Sequence, residues 1–520
     1  MAAKKKTAGK KPKKKAKKTP AKRKKAQKPA QEREEGLLDM EEAIEMLQTT
    51  RPTFYRWLRA GKVKGMKVGR QWRFYREDLE RFLKGEPPRI DLPVDIDPLI
   101  ETLEKRLREL KAPPPDPSQE GVVKAVNLMI LLGAALRASD IHLAPHFAPE
   151  PGMAEGALRY RVDGVLHPAA TIDARLLPAL VERWKVMASC DPREKSRPQD
   201  GRVLVDNGAT GRRLDIRVSF LPTALGESLT ARILEPLEAA TFTVERLGFD
   251  AREEEALDRW ANAPWGLVVV TGPTGSGKTT TLYAGYARAA TPERKALSIE
   301  DPVEILFPWT VPVQIRPEQG LTFSSAIRAV LRSDPDVVLI GELRDRASVQ
   351  LAQQMALTGH LVFTSLHAGR AIDALRRLVD VGGDPYLTGE SLKFVMAQRL
   401  LRTLCPACSS QAPPTETELG QARELTRDSD LDVGSLPGAW RKPAGCPRCG
   451  QTGYRGRKVV AESIEVTPEI ARALRQNAPR EEIHALALAQ GMQTLEAGAI
   501  RSAARGETAL SEVFRVMGER

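Results

Sequence analysis

Residues 265–289 read WGLVVVTGPTGSGKTTTLYAGYARA. An apolar run from Leu267 to Val270 meets a glycine-rich loop and then a helix-forming segment, so the stretch predicts a buried strand, a tight loop and a helix. Gly272-Pro273-Thr274-Gly275-Ser276-Gly277-Lys278-Thr279 fits G-x-x-x-x-G-K-[ST], with Thr280 following. Such a loop turns its backbone N–H groups toward one point, Lys278 adds a cation for the β- and γ-phosphates, and Thr279 offers a hydroxyl to Mg²⁺. The expectation is a bound nucleoside triphosphate, ATP with magnesium, on an α/β core.

Downstream, VVLI at 337–340 predicts a second buried strand, followed by Gly341 and Glu342. Many phosphate-loop enzymes place an aspartate at the end of this strand to hold magnesium; Gly341 stands there instead, so the metal must lean on other groups. Further on, AQRLLRTLCPAC ends in Cys405 and Cys408, and GCPRCGQTGYRGR carries Cys446 and Cys449 after a gap of 37 residues. Two CPxC pairs predict a four-thiolate zinc site, structural because no histidine ligand or open position accompanies it. The long gap is no obstacle, since doubling a loop costs only about 0.6 kcal/mol. Cys190 reads as a small buried residue.

Residues 119–240 alternate: ALRYRVDGVL at 157–166, GRVLVD at 201–206 and RRLDIRVSF at 212–220 predict strands around helices such as LLPALVERWKVMA. The words ASDIHLAP, YRVDGVL, PQDGRV and DIRVSFLPTALGESLTARIL resemble the N-terminal half of the type II secretion and type IV pilus assembly ATPases. ALSIEDPVE at 296–304 resembles the aspartate box of that family, and TGHLVFTSLHA at 358–368 its histidine box with His360 and His367. The missing strand-end aspartate is also that family's pattern.

The resemblance runs from about residue 120 to the C-terminus and implies a RecA-like P-loop ATPase domain with a preceding α+β domain and a small zinc-bound lobe. It implies that Glu342 orients or deprotonates the attacking water, that Glu300, Asp301 and Glu304 carry carboxylates to the metal side, and that His367 belongs to the site. Arg217 and Arg232 match two arginines that reach the nucleotide, a task suited to a planar, permanently charged fork. It further implies a homo-hexameric ring, cytoplasmic and peripheral at the inner membrane. There the ring would contact platform and cytoplasmic linker proteins and drive pilus or pseudopilus assembly. The four cysteines resemble the assembly branch rather than a retraction motor.

The N-terminus departs from that family. GLLDMEEAIEMLQ predicts a helix capped by Asp39 with Met40, Ala43, Ile44 and Leu47 on one face; TTRPTFYRWLRAG at 49–61 predicts a second, with Phe54, Trp57 and Leu58 inward and Thr53, Tyr55, Arg56 and Arg59 outward. KVKGMKVGRQWRFYREDLERFL then predicts a strand, a Gly69-Arg70 turn, a strand and a closing helix. This stretch resembles the winged helix-turn-helix of the excisionase and MerR-like families, which implies a recognition helix in a DNA groove. Arg51, Thr53, Arg56, Arg59 and Arg70 are the candidate contacts. A protein-docking use of the same fold stays open, and with it an alternative function, a DNA-binding ATPase that remodels or loads onto a nucleic-acid target.

The 520 residues carry a net charge of +13, and residues 1–35 alone hold fourteen lysines, two arginines and three glutamates, which is +13. The excess therefore sits entirely in a lysine-rich tail expected to be a disordered polycation for DNA, an anionic membrane surface or an acidic protein. The expected organisation is the tail (1–35), the helix-turn-helix (36–88) and a proline-rich linker with one amphipathic helix (89–118). The α+β half (119–240) and the ATPase domain (241–520) follow, the latter with its cysteine lobe at about 404–457. The linker helix is left between two readings, a partner-seeking face and a solvated spacer. AVNLMILLGAAL at 125–136 falls short of the roughly 20 residues of a membrane span and reads as a buried helix. With no signal-peptide core and paired cysteines, a reducing cytoplasm is expected.

Overall fold

The computed structural model describes residues 37–59, 62–63, 65–68, 71–83, 94–112, 118–147, 154–207, 212–234, 239 and 242–518. The lysine-rich tail, the centres of both proline-rich hinges, Arg70 and the side chain of Arg59 lie outside them. Described residues up to Leu83 belong to one compact unit and those from Val94 onward to another.

In the first unit, a short strand β1 (Leu37–Leu38) leads into helix α1 (Met40–Met46). Asp39 Oδ1 accepts from the N–H groups of Glu41 and Glu42 at 2.9 and 3.0 Å, and Glu42 Oε2 accepts from Asp39 N at 2.8 Å. This reciprocal box satisfies donors that a helix start otherwise leaves unpaired. Helix α2 (Arg51–Arg59), strands β2 (Met66–Val68) and β3 (Gln71–Tyr75) and helix α3 (Arg76–Leu83) follow as the sequence predicts. Val68 pairs with Gln71, and the Gly69-Arg70 turn expected between them lies outside the described residues. Ala43, Leu47, Phe54, Val63, Phe74 and Leu79 form the core, with the rings of Phe54 and Phe74 edge to face at 5.1 Å.

The second unit opens with helix α4 (Asp97–Glu109), whose Leu99, Ile100, Leu103 and Leu107 are buried. The helix is no solvated spacer: it packs on α5 (Gly121–Ala135) and carries the ion pair Lys124–Glu104 at 2.9 Å. Burying four such side chains is worth several kcal/mol, enough to stabilise a helix of this length that would be marginal on its own. Helix α5 is apolar almost all round and buried along most of its length.

Strands β4 (Asp140–Phe147), β5 (Ala154–Val162), β6 (Val165–Asp173), β7 (Gln199–Asn207), β8 (Arg212–Thr223) and β9 (Gly226–Leu234) form an antiparallel sheet in the order β6-β5-β4-β9-β8-β7. Helix α6 (Leu177–Met187) packs on it through a fully buried Trp184. The single strand expected over 157–166 is in fact two. Asp163 (φ 46°) and Gly164 (φ 85°) are both left-handed, the geometry of a two-residue hairpin turn, and Val162 pairs with Val165 across it.

Helix α7 (Ala251–Ala261) precedes the second sheet: β10 (Gly266–Thr271), helix α8 (Lys278–Ala289), β11 (Ala296–Glu300), β12 (Thr310–Gln314), β13 (Val337–Ile340), β14 (Leu361–Leu366), β15 (Leu392–Leu404) and, after a small ribbon of β16 (Ser410–Gln411) and β17 (Arg441–Lys442), β18 (Tyr454–Glu465). The order is β12-β11-β13-β14-β10-β15-β18, parallel throughout except for β18. Strands β10, β11, β13 and β14 are buried at every residue, with apolar clusters on both faces, as a parallel sheet flanked by helices requires. The C-terminal ends of these strands open one edge of the sheet, where α/β folds bind ligands.

Candidate nucleotide site and cysteine cluster

The phosphate loop leaves the end of β10 and enters α8 at Lys278. Gly272 (φ 148°) and Gly277 (φ 88°) adopt backbone that favours glycine, and a Cβ on Gly272 would lie 2.6 Å from the carbonyl oxygen of Gln398. Close approach of loop and strand therefore fixes glycine here. Thr271 Oγ1 donates to the carbonyls of Leu366 and Ala368 at 3.1 and 3.2 Å and accepts from Ala368 N at 2.8 Å, tying the loop's base to the segment after β14. Lys278 Nζ donates to Gly272 O and Pro273 O at 2.8 and 3.0 Å. Burial lowers its pKa, and the Arg399 guanidinium lowers it further.

A cleft of about 490 Å³ lies in front of the loop, lined by Thr274, Gly275, Gly277, Lys278, Thr279 and Thr280. Gly272, Pro273 and Ser276 do not line the cleft, and Ser276 is buried. Glu300, Asp301 and Glu304 enter the cleft from the end of β11, Gly341 and Glu342 from the end of β13, and His367 from beyond β14. Glu342 is ion-paired with Arg344, and His367 Nε2 lies 3.5 Å from its other oxygen. Burial, with Lys278 and Arg344 nearby, lowers the His367 pKa.

Of the two arginines on the antiparallel sheet, Arg217 pairs with Glu304 through two contacts of 3.2 Å. Arg232 is held by Asp140 at 3.0 Å within its own sheet and does not line the cleft. His360 stands at the opposite end of β14 from the cleft, where Nδ1 meets Met355 O at 2.8 Å and Thr358 Oγ1 at 3.1 Å. It holds the end of the preceding helix and is remote from the loop.

Three titratable lining residues escape the sequence reading. Tyr283 sits one turn beyond Thr279 on α8 and donates its hydroxyl to Glu300 Oε2 at 2.5 Å. Burial raises the Glu300 pKa above the usual carboxylate range, against that hydrogen bond. The i, i+4 spacing from Thr279 was the signal available for Tyr283. Arg344 and Arg457 also line the cleft, and Arg457 arrives on β18 by strand pairing that no local motif announces.

Cys405, Cys408, Cys446 and Cys449 converge with all four Sγ atoms within 4.8 Å of one another. The Cys405–Cys446 and Cys408–Cys449 separations are 3.9 Å, and Cys446–Cys449 is 3.8 Å. Four thiolates at about 2.3 Å from a tetrahedral zinc have edges of about 3.8 Å, so the set fits that ion. Burial pushes the Cys408 thiol up to about 11. At Cys449 burial also acts upward, but N–H groups of Cys446 and Gly453, each 3.2 Å from Sγ, outweigh it and bring the thiol down to about 7.

Comparison with known proteins follows this division. Residues 37–87 match the family described as Helix-turn-helix domain. Type II secretion system protein HxcR of Pseudomonas aeruginosa is 39% identical over 401 residues, covering 77% of this chain and 78% of that protein. Type II secretion system protein E of Xanthomonas campestris is 39% identical over 401 residues, 77% and 68% of the two chains. Type IV pilus assembly ATPase TfpB of Acinetobacter baylyi is 37% identical over 406 residues, 78% and 66%. The X-ray structure of the Legionella pneumophila ATPase DotB shares the fold at a TM-score of 0.53 and 20% identity, over 77% of this chain and 96% of that one. Residues 117–515 match the family described as Type II/IV secretion system protein, and with its phosphate loop facing carboxylates from two strand ends, the chain belongs to that family as one of its ATPases.

Proposed function

We propose that the chain is the ATP-hydrolysing motor of a type II secretion or type IV pilus assembly machine. It works as a homo-hexamer in the cytoplasm, on the inner-membrane platform and linker proteins of that machine. The observation that supports this best is the cleft in which the phosphate loop faces Glu300, Asp301, Glu304 and Glu342. In keeping with it, no helix among the described residues is long and apolar enough to cross a membrane.

The loop N–H groups cradle the phosphates of ATP, and Lys278 exchanges the carbonyls of Gly272 and Pro273 for β- and γ-phosphate oxygens. Thr279 and the carboxylates at the end of β11 would hold magnesium, which would supply charge neutralisation for the phosphates. Glu342 orients the attacking water and takes its proton, and His367 beside it helps hold that position. Arg217 and Arg232 bring positive charge from the antiparallel sheet, within one chain or across to a neighbour in the ring. The four cysteines would hold one structural zinc.

The test is ATP turnover by the purified chain as a function of its assembly state. Turnover per chain that rises with a six-fold assembly supports the motor reading; equal turnover by monomer and assembly removes the ring.

A second reading, a DNA-remodelling ATPase, is favoured by one observation: Arg51 and Arg56 are exposed on α2 of the helix-turn-helix unit. Strong stimulation of turnover by duplex DNA, persisting after removal of residues 1–35, would select it.

A further inference from the structure

Strand β15 runs beside β10, and its Gln398 is 1% exposed. The side chain reaches under the phosphate loop, where Nε2 donates to Ser276 O at 2.7 Å. The same nitrogen would lie 3.0 Å from a Cβ on Gly277, and the Gln398 carbonyl 2.6 Å from one on Gly272. Gln398 thus meets the loop at Gly272, at Gly277 and at the Ser276 carbonyl between them. On its other side, the Gln398 carbonyl accepts from Arg399 Nη1 at 3.0 Å, and Arg399 Nη2 donates to Gly369 O at 2.8 Å, just past His367.

Two polar atoms at this contact, Gln398 Oε1 and Ser276 Oγ, are buried without a hydrogen-bond partner among the described residues. A glutamine kept for packing alone would be replaced at lower cost by leucine or methionine, since an orphaned buried acceptor is unfavourable. An amide here makes sense if the loop needs a fixed donor on its rear face. A carbonyl held from behind keeps its peptide plane from flipping, and the N–H of the following residue, Gly277, then stays on the phosphate side.

We propose that Gln398 is a positioning residue for the phosphate loop: it fixes the Ser276–Gly277 peptide so that the loop is shaped for phosphate before ATP arrives. The inference rests on the ATP reading of the cleft and adds to it a residue more than 100 positions away in the chain. Gln398 touches no substrate. It acts through Ser276, and through β15 it ties the loop to the strand that ends next to Cys405.

The experiment uses the full chain and Mg-ATP. Gln398→Met keeps the shape and loses the donor, and the KM for ATP should rise about tenfold, the weight of one hydrogen bond, with kcat within about threefold of wild type. Hydrogen exchange at the amides of 272–280 should quicken in the ATP-free protein, which a purely structural loss elsewhere would not produce. Gln398→Glu, which faces the Ser276 carbonyl with a second acceptor, should raise KM further and decides the matter if the methionine variant does not fold. KM within twofold of wild type in the variant that folds, whatever its melting temperature, overturns the inference. Wild-type protein that binds no ATP would instead overturn the reading of the cleft itself.

Discussion

Arg217 Nη1 and Nη2 meet Glu304 Oε1 and Oε2 in two parallel contacts of 3.2 Å, joining the antiparallel sheet to the rim of the nucleotide cleft. The side chains are 46% and 36% exposed, and such a pair contributes at most about 1 kcal/mol to stability. Stability is therefore a poor explanation for it. A fork that grips a carboxylate grips phosphate oxygens by the same geometry, so the pair reads as an arginine parked one side chain from its working position. Arg217→Ala should leave the melting temperature within about 2 °C and lower kcat by about ten- to a hundredfold. Arg217→Lys should fail to restore turnover, because a single ammonium cannot reproduce the fork. Full activity in the lysine variant would show that charge alone suffices.

In the proposed mechanism Lys278 serves binding and Glu342 serves chemistry. Lys278→Ala removes the cation aimed at the β- and γ-phosphates and should abolish measurable ATP retention in filter binding. Glu342→Gln keeps the shape of the side chain and loses the base. ATP should remain bound while phosphate release falls by about 10²- to 10⁴-fold. Normal release from the glutamine variant would move the water-activating role to another carboxylate of the cleft.

Tyr283 and Glu300 give a pH signature. Burial raises the Glu300 carboxyl in the fold, and the Tyr283 hydroxyl, 2.5 Å away, opposes that rise. A carboxyl raised by folding binds protons more tightly when folded, so its burial lowers stability as pH climbs past the ordinary carboxylate range. Removing the hydroxyl raises it further. Tyr283→Phe should therefore cost little near pH 4.5 and about 1–3 kcal/mol at pH 8, seen as a gap between melting curves that widens with pH. A gap that is constant with pH would mean the hydroxyl serves packing only.

What was legible in the sequence was local. The phosphate loop, β13, the Asp39 cap of α1, the core face of α2 and the two cysteine pairs are each written in a dozen residues or fewer, and the fold keeps them where expected. What was not legible depends on pairing between distant segments. Gln398 and Arg457 reach the loop and the cleft because β15 lies beside β10 and β18 beside β15, a register with no local sign. The two histidines show the same limit: one strand separates them, and its direction alone places His367 in the cleft and His360 at the far end. The strand expected over 157–166 failed for a local reason, since Asp163-Gly164 is itself a hairpin signal.

For the cysteines, freshly reduced protein should carry about one zinc per chain, since Sγ spacings of 3.8 to 3.9 Å already match a tetrahedral set. Cys446→Ser should release it and loosen the segment between the two pairs, read as faster proteolysis over 409–445, while ATP retention at the loop persists. Metal analysis that finds no zinc in wild-type protein would leave four thiols packed together without an ion.

The helix-turn-helix unit contributes none of the residues above, and its surface decides what it can bind. Arg51 and Arg56 are exposed on α2, Thr53 between them is half-buried and its hydroxyl accepts from Thr50 at 3.0 Å, and the inward face is taken by Phe54. Among the described side chains of α2, that leaves these two arginines as exposed cations, suited to phosphates or base edges. In the full chain, Arg51→Ala with Arg56→Ala should weaken binding to a selected duplex more than to random duplex, by about 1–3 kcal/mol for each base edge no longer read. Removing residues 1–35 should instead lower affinity for all sequences alike and flatten its dependence on salt, because the tail neutralises phosphates without reading bases. Selection from a random pool followed by salt titration separates the two effects. If no sequence is enriched and the double substitution changes nothing, the unit is a protein-docking module.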